Sequence, residues 1–125
     1  MLKNSIKNID TIIVTAQEWG YNYVLLEKNM WYISRIDEKK IKYFKYIAFY
    51  RIAPIYAITS YSKIKKIFYN TEYRRYDIIL KGKLITIKPI VLDKDKRYLA
   101  PQSIKYTSLS ILLKAKKISH LTKNK

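Results

Sequence analysis

The sequence predicts an α+β fold: a small barrel or strongly curved sheet of five or six mostly antiparallel strands, with short helices near its two ends. Three observations predict it. Apolar and β-branched residues recur in short runs, and 49% hydrophobic with 14% aromatic residues is enough to bury a core in 125 residues. The runs are separated by short turns rather than by crossover helices, which disfavours a doubly wound α/β sheet. Only two glycines occur, too few for a sandwich cornered on glycine. The length suits one domain over 1–125, with a Lys-rich end over 114–125.

In order along the chain, Thr11-Ile12-Ile13-Val14 is a β-branched run and reads as a strand. Thr15-Ala16-Gln17-Glu18 fits a capping box and predicts a helix start there. That helix carries Trp19 and Tyr23 on one side, four residues apart, and Gly20 keeps it short. Glu27-Lys28-Asn29 is a loop, Met30–Ile36 a strand, and Asp37-Glu38-Lys39-Lys40 a charged turn. Lys45–Ile52 is almost continuously apolar, as expected of a central strand. Ala53-Pro54 interrupts it, and Ile55–Phe68 follows as a strand long enough to need a bend or bulge. Tyr73–Leu80 and Leu84–Leu92 read as two strands joined by a turn at Lys81-Gly82-Lys83, with Pro89 marking an edge. Asp93–Gln102 is a loop. Thr107 then caps a helix through Lys117, with Leu109, Leu112, Leu113 and Ile118 at helical spacing.

Composition excludes several function classes. With no Cys there is no disulfide scaffold, thiolate site or cysteine nucleophile, and the single His lies near the C-terminus. No Gly-rich phosphate loop is possible with glycines only at 20 and 82. No metal or other cofactor is expected. Lys or Arg interrupts every apolar run, so no membrane span is expected. The opening Met-Leu-Lys-Asn-Ser-Ile-Lys lacks the apolar core of a secretory signal, and the expected location is the cytoplasm.

The conspicuous feature is charge. The chain has 26 Lys+Arg against 9 Asp+Glu, a net +17. Residues 1–40 carry six basic and five acidic side chains, residues 41–92 eleven and two, and residues 93–125 nine and two. Part of the excess reflects a Lys-favouring composition, but that does not account for the missing acids. An asymmetric positive charge of this size points to a polyanionic partner.

The stretch Lys42–Ile67, KYFKYIAFYRIAPIYAITSYSKIKKI, resembles the middle of a PUA-like domain of the EVE/ASCH kind. In that superfamily a strand ending in an aromatic-basic pair runs into a short Pro-containing loop. The next strand returns with an alternation that ends in a charged, Ile/Val-rich segment. The corresponding features are Phe49-Tyr50-Arg51, Ala53-Pro54 and Ala57–Ile67. Lys42-Tyr43-Phe44 stands where a Gly-Asp pair often precedes the central strand, and the Lys-x-x-Lys-x-Glu-type signature of ribonucleolytic ASCH members is not recognisable. The resemblance implies a small pseudobarrel that binds RNA or modified DNA bases. It places Trp19, Trp31, Tyr50, Arg51 and Tyr61 near an aromatic pocket.

The residues themselves support a nucleic-acid reading. Tyr alternates with Lys and Arg at Lys42-Tyr43, Lys45-Tyr46, Tyr50-Arg51, Tyr61-Ser62-Lys63, Tyr73-Arg74-Arg75-Tyr76 and Lys105-Tyr106. Cations neutralise phosphates, and aromatic faces stack on unpaired bases. The candidate contact residues are therefore Trp19, Trp31, Tyr43, Lys45, Tyr50, Arg51, Tyr61, Lys63, Arg74, Arg75, Lys105 and Tyr106. Each has a plainer role open to it: tyrosines and tryptophans plug cores, and Arg51 at a strand end can pair with Asp77 or Glu72. Two rival functions stay open. A small hydrolase or nuclease requires converging carboxylates or a Lys–Glu pair, and a protein-interaction module requires an acidic protein partner.

Overall fold

The computed structural model describes residues 9–101 and 104–122, with residue 24 through its backbone alone. Gln102 of the predicted loop and the last three residues of the Lys-rich end lie outside the described residues. One six-stranded sheet organises the rest, in the order β2-β5-β4-β3-β1-β6. The strands are β1 (Thr11–Ala16), β2 (Met30–Ile33), β3 (Tyr46–Arg51), β4 (Ala57–Asn70), β5 (Arg75–Val91) and β6 (Lys105–Thr107). β1 and β3 run parallel, and the other pairings are antiparallel. The sheet curls into a half-barrel, as the sequence predicts.

The parallel pair explains why β1 and β3 are so apolar. A central strand covered on both faces reads as a continuous hydrophobic run. Ile12, Val14, Ala16, Ile47 and Phe49 enter one cluster, on the inner face, with Trp31, Ile78 and Leu80. Their neighbours Ile13, Ala48 and Tyr50 point the other way, into an outer-face cluster with Ile58, Ile90, Leu112 and Ile118. Phe49 anchors the inner cluster through edge-to-face contacts with Trp31 at 5.2 Å and Tyr21 at 6.2 Å.

Several local expectations shift. The Thr15 capping box does not form. Pairing with β3 extends β1 to Ala16, and the Thr15 hydroxyl donates instead to the Pro101 carbonyl at 2.8 Å. The first helix, α1 (Glu18–Gly20), starts after Gln17 and continues as a π-helical segment, Tyr21–Glu27. It stacks Trp19 on Tyr23 at 5.5 Å, on the one side the four-residue spacing predicts. The predicted strand over 30–36 stops at Ile33, and the charged turn is the start of a 3₁₀ helix, Glu38–Tyr43, capped by the Asp37 carboxylate.

The largest correction concerns β5. The chain does not turn back at Lys81-Gly82-Lys83 but runs on as one 17-residue strand beside the 14-residue β4. Lys63 faces Lys81 while Tyr61 faces Ile85, so two extra β5 residues bulge around Gly82, whose φ of 76° suits glycine. A second bulge spans Pro89, between the Ser60–Thr86 and Ile58–Ile90 pairs, and β4 contributes a third between Ile64 and Lys66. These bulges supply the bending expected of such long strands. Pro89 does lie on an open edge, because β2 covers only Tyr76–Ile79 of β5.

At the C-terminal end the cap is Ser108 rather than Thr107. Thr107 belongs to β6, a strand the sequence did not announce, and the Ser108 hydroxyl accepts from the Ile111 amide at 3.2 Å. The helix predicted through Lys117 stops at Lys114 as α2 (Leu109–Lys114), where Ala115 turns extended, and a separate short helix, α3 (Ser119–Thr122), follows beyond the predicted end. Leu112 and Ile118 still reach the same outer-face cluster, so the spacing signal was real while the continuity was not. Asp93 fastens this end by accepting from the amide and hydroxyl of Ser119 at 3.0 and 2.7 Å. Burial alone would raise the Asp93 carboxyl, but these bonds outweigh it and hold it below its ordinary value. Among the described residues no helix is long and apolar enough to cross a membrane.

Candidate functional site

The curled sheet leaves a cleft at one end of its inner face. There β1 and β2 do not pair with each other, and the gap between them is bordered by the segment after β2 and by β6. The cavity measures about 590 Å³ and is lined by Val14, Thr15, Trp31, Tyr32, Ile33, Ser34, Arg35, Ile36, Asp37, Ile104 and Tyr106. An adjoining recess of about 210 Å³ shares Thr15, Trp31 and Tyr32 and adds Gln17, Trp19 and Gly20. The two form one continuous aromatic depression.

Its floor and walls differ in exposure. Trp31 is 9% exposed and packs edge-to-face against Phe49. Tyr106 lies flat on Phe44 at 5.2 Å with the Lys40 ammonium 4.7 Å from its ring, and its hydroxyl accepts from the Asp37 amide. Tyr32 stands at the mouth, 39% exposed, with the Arg75 guanidinium 3.9 Å from its ring centre. Trp19 is the most open wall, 66% exposed. Trp19 offers the most open π-face and Tyr32 a partly open one, whereas Tyr106 has Phe44 stacked on it and Lys40 beside its ring. Arg35 adds a cation at the rim, around a volume that admits a planar heterocycle. Asp37 is the one carboxylate among the lining residues, and no Lys or Glu is among them. Among the described residues no three Asp, Glu or His side chains gather as a metal ion requires.

The sequence-derived candidates separate into three groups. Trp19, Trp31 and Tyr106 line the depression, and Arg75 touches it through Tyr32. Tyr43, Lys45, Tyr61, Lys63, Arg74 and Lys105 do not line it. Lys45, Lys63, Arg74 and Lys105 are exposed, and Tyr43 and Tyr61 half-buried, the latter against Tyr46. Arg74 does not lie in a strand, as the predicted Tyr73–Leu80 strand would have it. It sits in the turn before β5 with φ of 54°. Tyr50 and Arg51 are the third group. Tyr50 is 1% exposed within the outer-face cluster, away from the depression, and burial pushes its hydroxyl pKa up.

Arg51 pairs with neither Asp77 nor Glu72. It ends β3 opposite Ala16, so the partner within reach is Glu18 at the start of α1, at 3.0 Å. Its guanidinium also lies 4.2 Å from the Tyr21 ring centre. Hydrogen bonds from Arg51 and then from Asn22 hold the Glu18 carboxyl below its ordinary value. The pair tethers the short helix that carries Trp19. Tyr32, Arg35 and Asp37 are site residues that sequence reasoning missed. Tyr32 had a visible signal, an aromatic beside Trp31 in a short strand, whereas Arg35 and Asp37 looked like ordinary loop charges.

No protein-family model matches the sequence, and no curated protein matches it. The fold does have counterparts among solved structures. The crystal structure of the ASCH protein from Zymomonas mobilis superposes with a TM-score of 0.54 at 12% identity, covering 83% of this chain and 90% of that one. A serine-to-alanine mutant of that protein gives 0.54 at 11% identity over 79% and 89% of the two chains. A tyrosine-to-phenylalanine mutant gives 0.53 at 12% identity over 78% and 89%. With its curled mixed sheet and short helices, the chain shares the fold of these ASCH structures.

Proposed function

We propose that this chain is a nucleic-acid-binding domain that seats one unpaired base, RNA or DNA, in the depression between β1 and β2. The observation that carries this reading is the aromatic lining of that depression: Trp31 and Tyr32 line both the cleft and its adjoining recess, Tyr106 the cleft and Trp19 the recess. Stacking on such faces binds a base with little regard to its sequence, and hydrogen bonds with Ser34 or Gln17 can add selectivity. Arg35 at the rim, and Lys45, Lys63 and Lys105 on the exposed surface, supply the long-range capture of phosphates. The whole chain acts as one such domain, and the Lys-rich end adds affinity without selectivity.

Fluorescence anisotropy with labelled single-stranded RNA and DNA tests this. Affinity falls at least about tenfold between ~50 and ~200 mM salt, and Trp19→Ala weakens binding by about tenfold. Salt-insensitive binding, or no binding to either polymer, overturns the proposal. A chain that instead forms a stable complex with an acidic protein and ignores nucleic acid has the interaction-module function.

A further inference from the structure

Beyond the cleft, the outer face of the sheet has a covered end and an open end. Leu112 of α2 and Ile118, just before α3, cover the end that holds Tyr50, Ile58 and Ile90. At the other end β2, β5 and β4 lie side by side with nothing packed on their outer face among the described residues. The register fixes what that face presents. Tyr32 lies opposite Asp77, and Asp77 opposite Phe68, while Arg75 stands two residues before Asp77 and opposite Asn70. Side chains paired across strands share a face. A row therefore runs Tyr32, Arg75, Phe68 over three strands, about 10 Å across.

The row is built. Asp77 is 5% exposed and accepts from Arg75 Nε at 2.7 Å and from Asn70 at 2.9 Å, which holds the guanidinium flat between its neighbours. Arg75 lies 3.9 Å from the Tyr32 ring centre and 4.7 Å from that of Tyr73, at the hairpin tip. The Lys66 ammonium lies 5.2 Å from the ring of Phe68. Phe68 is 40% exposed and Tyr73 60% exposed, each with a cation over its ring. Residues 63–75 carry five basic side chains against one acidic, so the rings sit in a positive field. Tyr32 belongs both to this row and to the wall of the cleft.

We infer that this outer face is a second binding station for the same strand, taking two or more nucleotides that flank the base in the cleft. The inference rests on the cleft reading and extends it: the ligand is a single-stranded segment, not a free nucleotide or a duplex. Lys66 beside Phe68 can neutralise the phosphate of a base stacked there. Arg75, paired through Nε with Asp77, keeps its terminal N–H groups for hydrogen bonds beside Tyr32 and Tyr73. A duplex keeps its π-faces stacked internally and cannot use the row.

The test compares a dinucleotide, an octanucleotide and a duplex of the same sequence on the full chain. The parent binds the octanucleotide more tightly than the dinucleotide and the duplex. The double substitution Phe68→Ala with Tyr73→Ala removes two exposed rings without disturbing the core. It lowers octanucleotide affinity about tenfold or more and leaves dinucleotide affinity unchanged, whereas Trp19→Ala weakens both. Unchanged octanucleotide binding in the double variant overturns the second station and leaves the cleft reading intact. Loss of dinucleotide binding in the same variant also overturns it, since the face then acts through the cleft. Duplex preference, or an acidic polypeptide that binds the face as tightly as the octanucleotide does, overturns the ligand class. If no nucleotide of any length binds, the cleft reading itself falls.

Discussion

In β3, Ile47, Ala48, Phe49 and Tyr50 are all buried, one after another. In the β4–β5 ribbon Ile67, Phe68 and Tyr69 are equally apolar, yet Phe68 and Tyr69 are 40% and 48% exposed. Both regions draw on Ile and aromatic residues, and each has an antiparallel neighbour, although β3 also pairs in parallel with β1. They differ in what lies above them. β3 has the inner cluster on one side and the outer cluster with Leu112 on the other, whereas the ribbon meets solvent on its outer face at Phe68 and runs past the core on its inner face at Tyr69. Apolar character alone thus does not separate buried positions from exposed ones. The ribbon's exposed rings carry cations over them, Lys66 on Phe68 and, at the hairpin tip, Arg75 on Tyr73.

Substitution can break that contrast. Phe49→Ala opens a cavity beneath Trp31 and Tyr21 and destabilises by about 3–5 kcal/mol, while Phe68→Ala stays within about 0.5 kcal/mol. Urea unfolding reads both, and comparable losses at the two positions would erase the distinction. Next in size is Arg75→Ala, which leaves the buried Asp77 with Asn70 alone and costs about 1–3 kcal/mol. Arg74→Ala, one residue earlier in the turn, costs little. Equal effects would mean that Asp77 is not organising the face.

Gly82→Ala probes the bulge that keeps β5 in one piece. Nothing lies within 4 Å of the added Cβ, so the expected cost of about 1 kcal/mol is that of a positive φ alone. A neutral or stabilising result would place the bulge elsewhere.

The smallest effect is electrostatic and appears at high pH. The Tyr76 hydroxyl donates to the Glu38 carboxylate, a bond that, with burial, pushes its pKa up to about 12. Burial raises Tyr50 as well. Unfolded tyrosines ionise near ~10. Between that value and about 12 the unfolded chain has released protons that the folded chain retains. Stability therefore falls as pH rises through this window. Tyr76→Phe should flatten the fall measured by thermal unfolding, and a curve parallel to the parent's would remove Tyr76 from the account.

The elements were legible to different degrees, for identifiable reasons. β1, β3 and the start of β4 were visible because central strands are apolar throughout. The paired side of α1 was visible because Trp19 and Tyr23 are four residues apart. Lys81-Gly82-Lys83 looked like a turn because a positive-φ glycine serves turns and bulges alike, and only pairing with β4 distinguishes the two. Thr15 and Thr107 looked like caps but joined strands, because β1 gained partners from β3 and β6. In the site, Trp19, Trp31 and Tyr106 were found by type, while Arg35 and Asp37 had no pattern to mark them.

The sequence by itself determined a basic, tyrosine-rich α+β domain with its strongest strands at the centre, because composition and periodicity depend on the chain alone. Only the tertiary structure decided which aromatic residues are core and which are surface. Tyr50 and Tyr32 are indistinguishable as letters, yet one lies under Leu112 and Ile118 and the other at the mouth of a cleft. Burial is set by what a distant part of the chain places on top of a residue, and no local window contains that information.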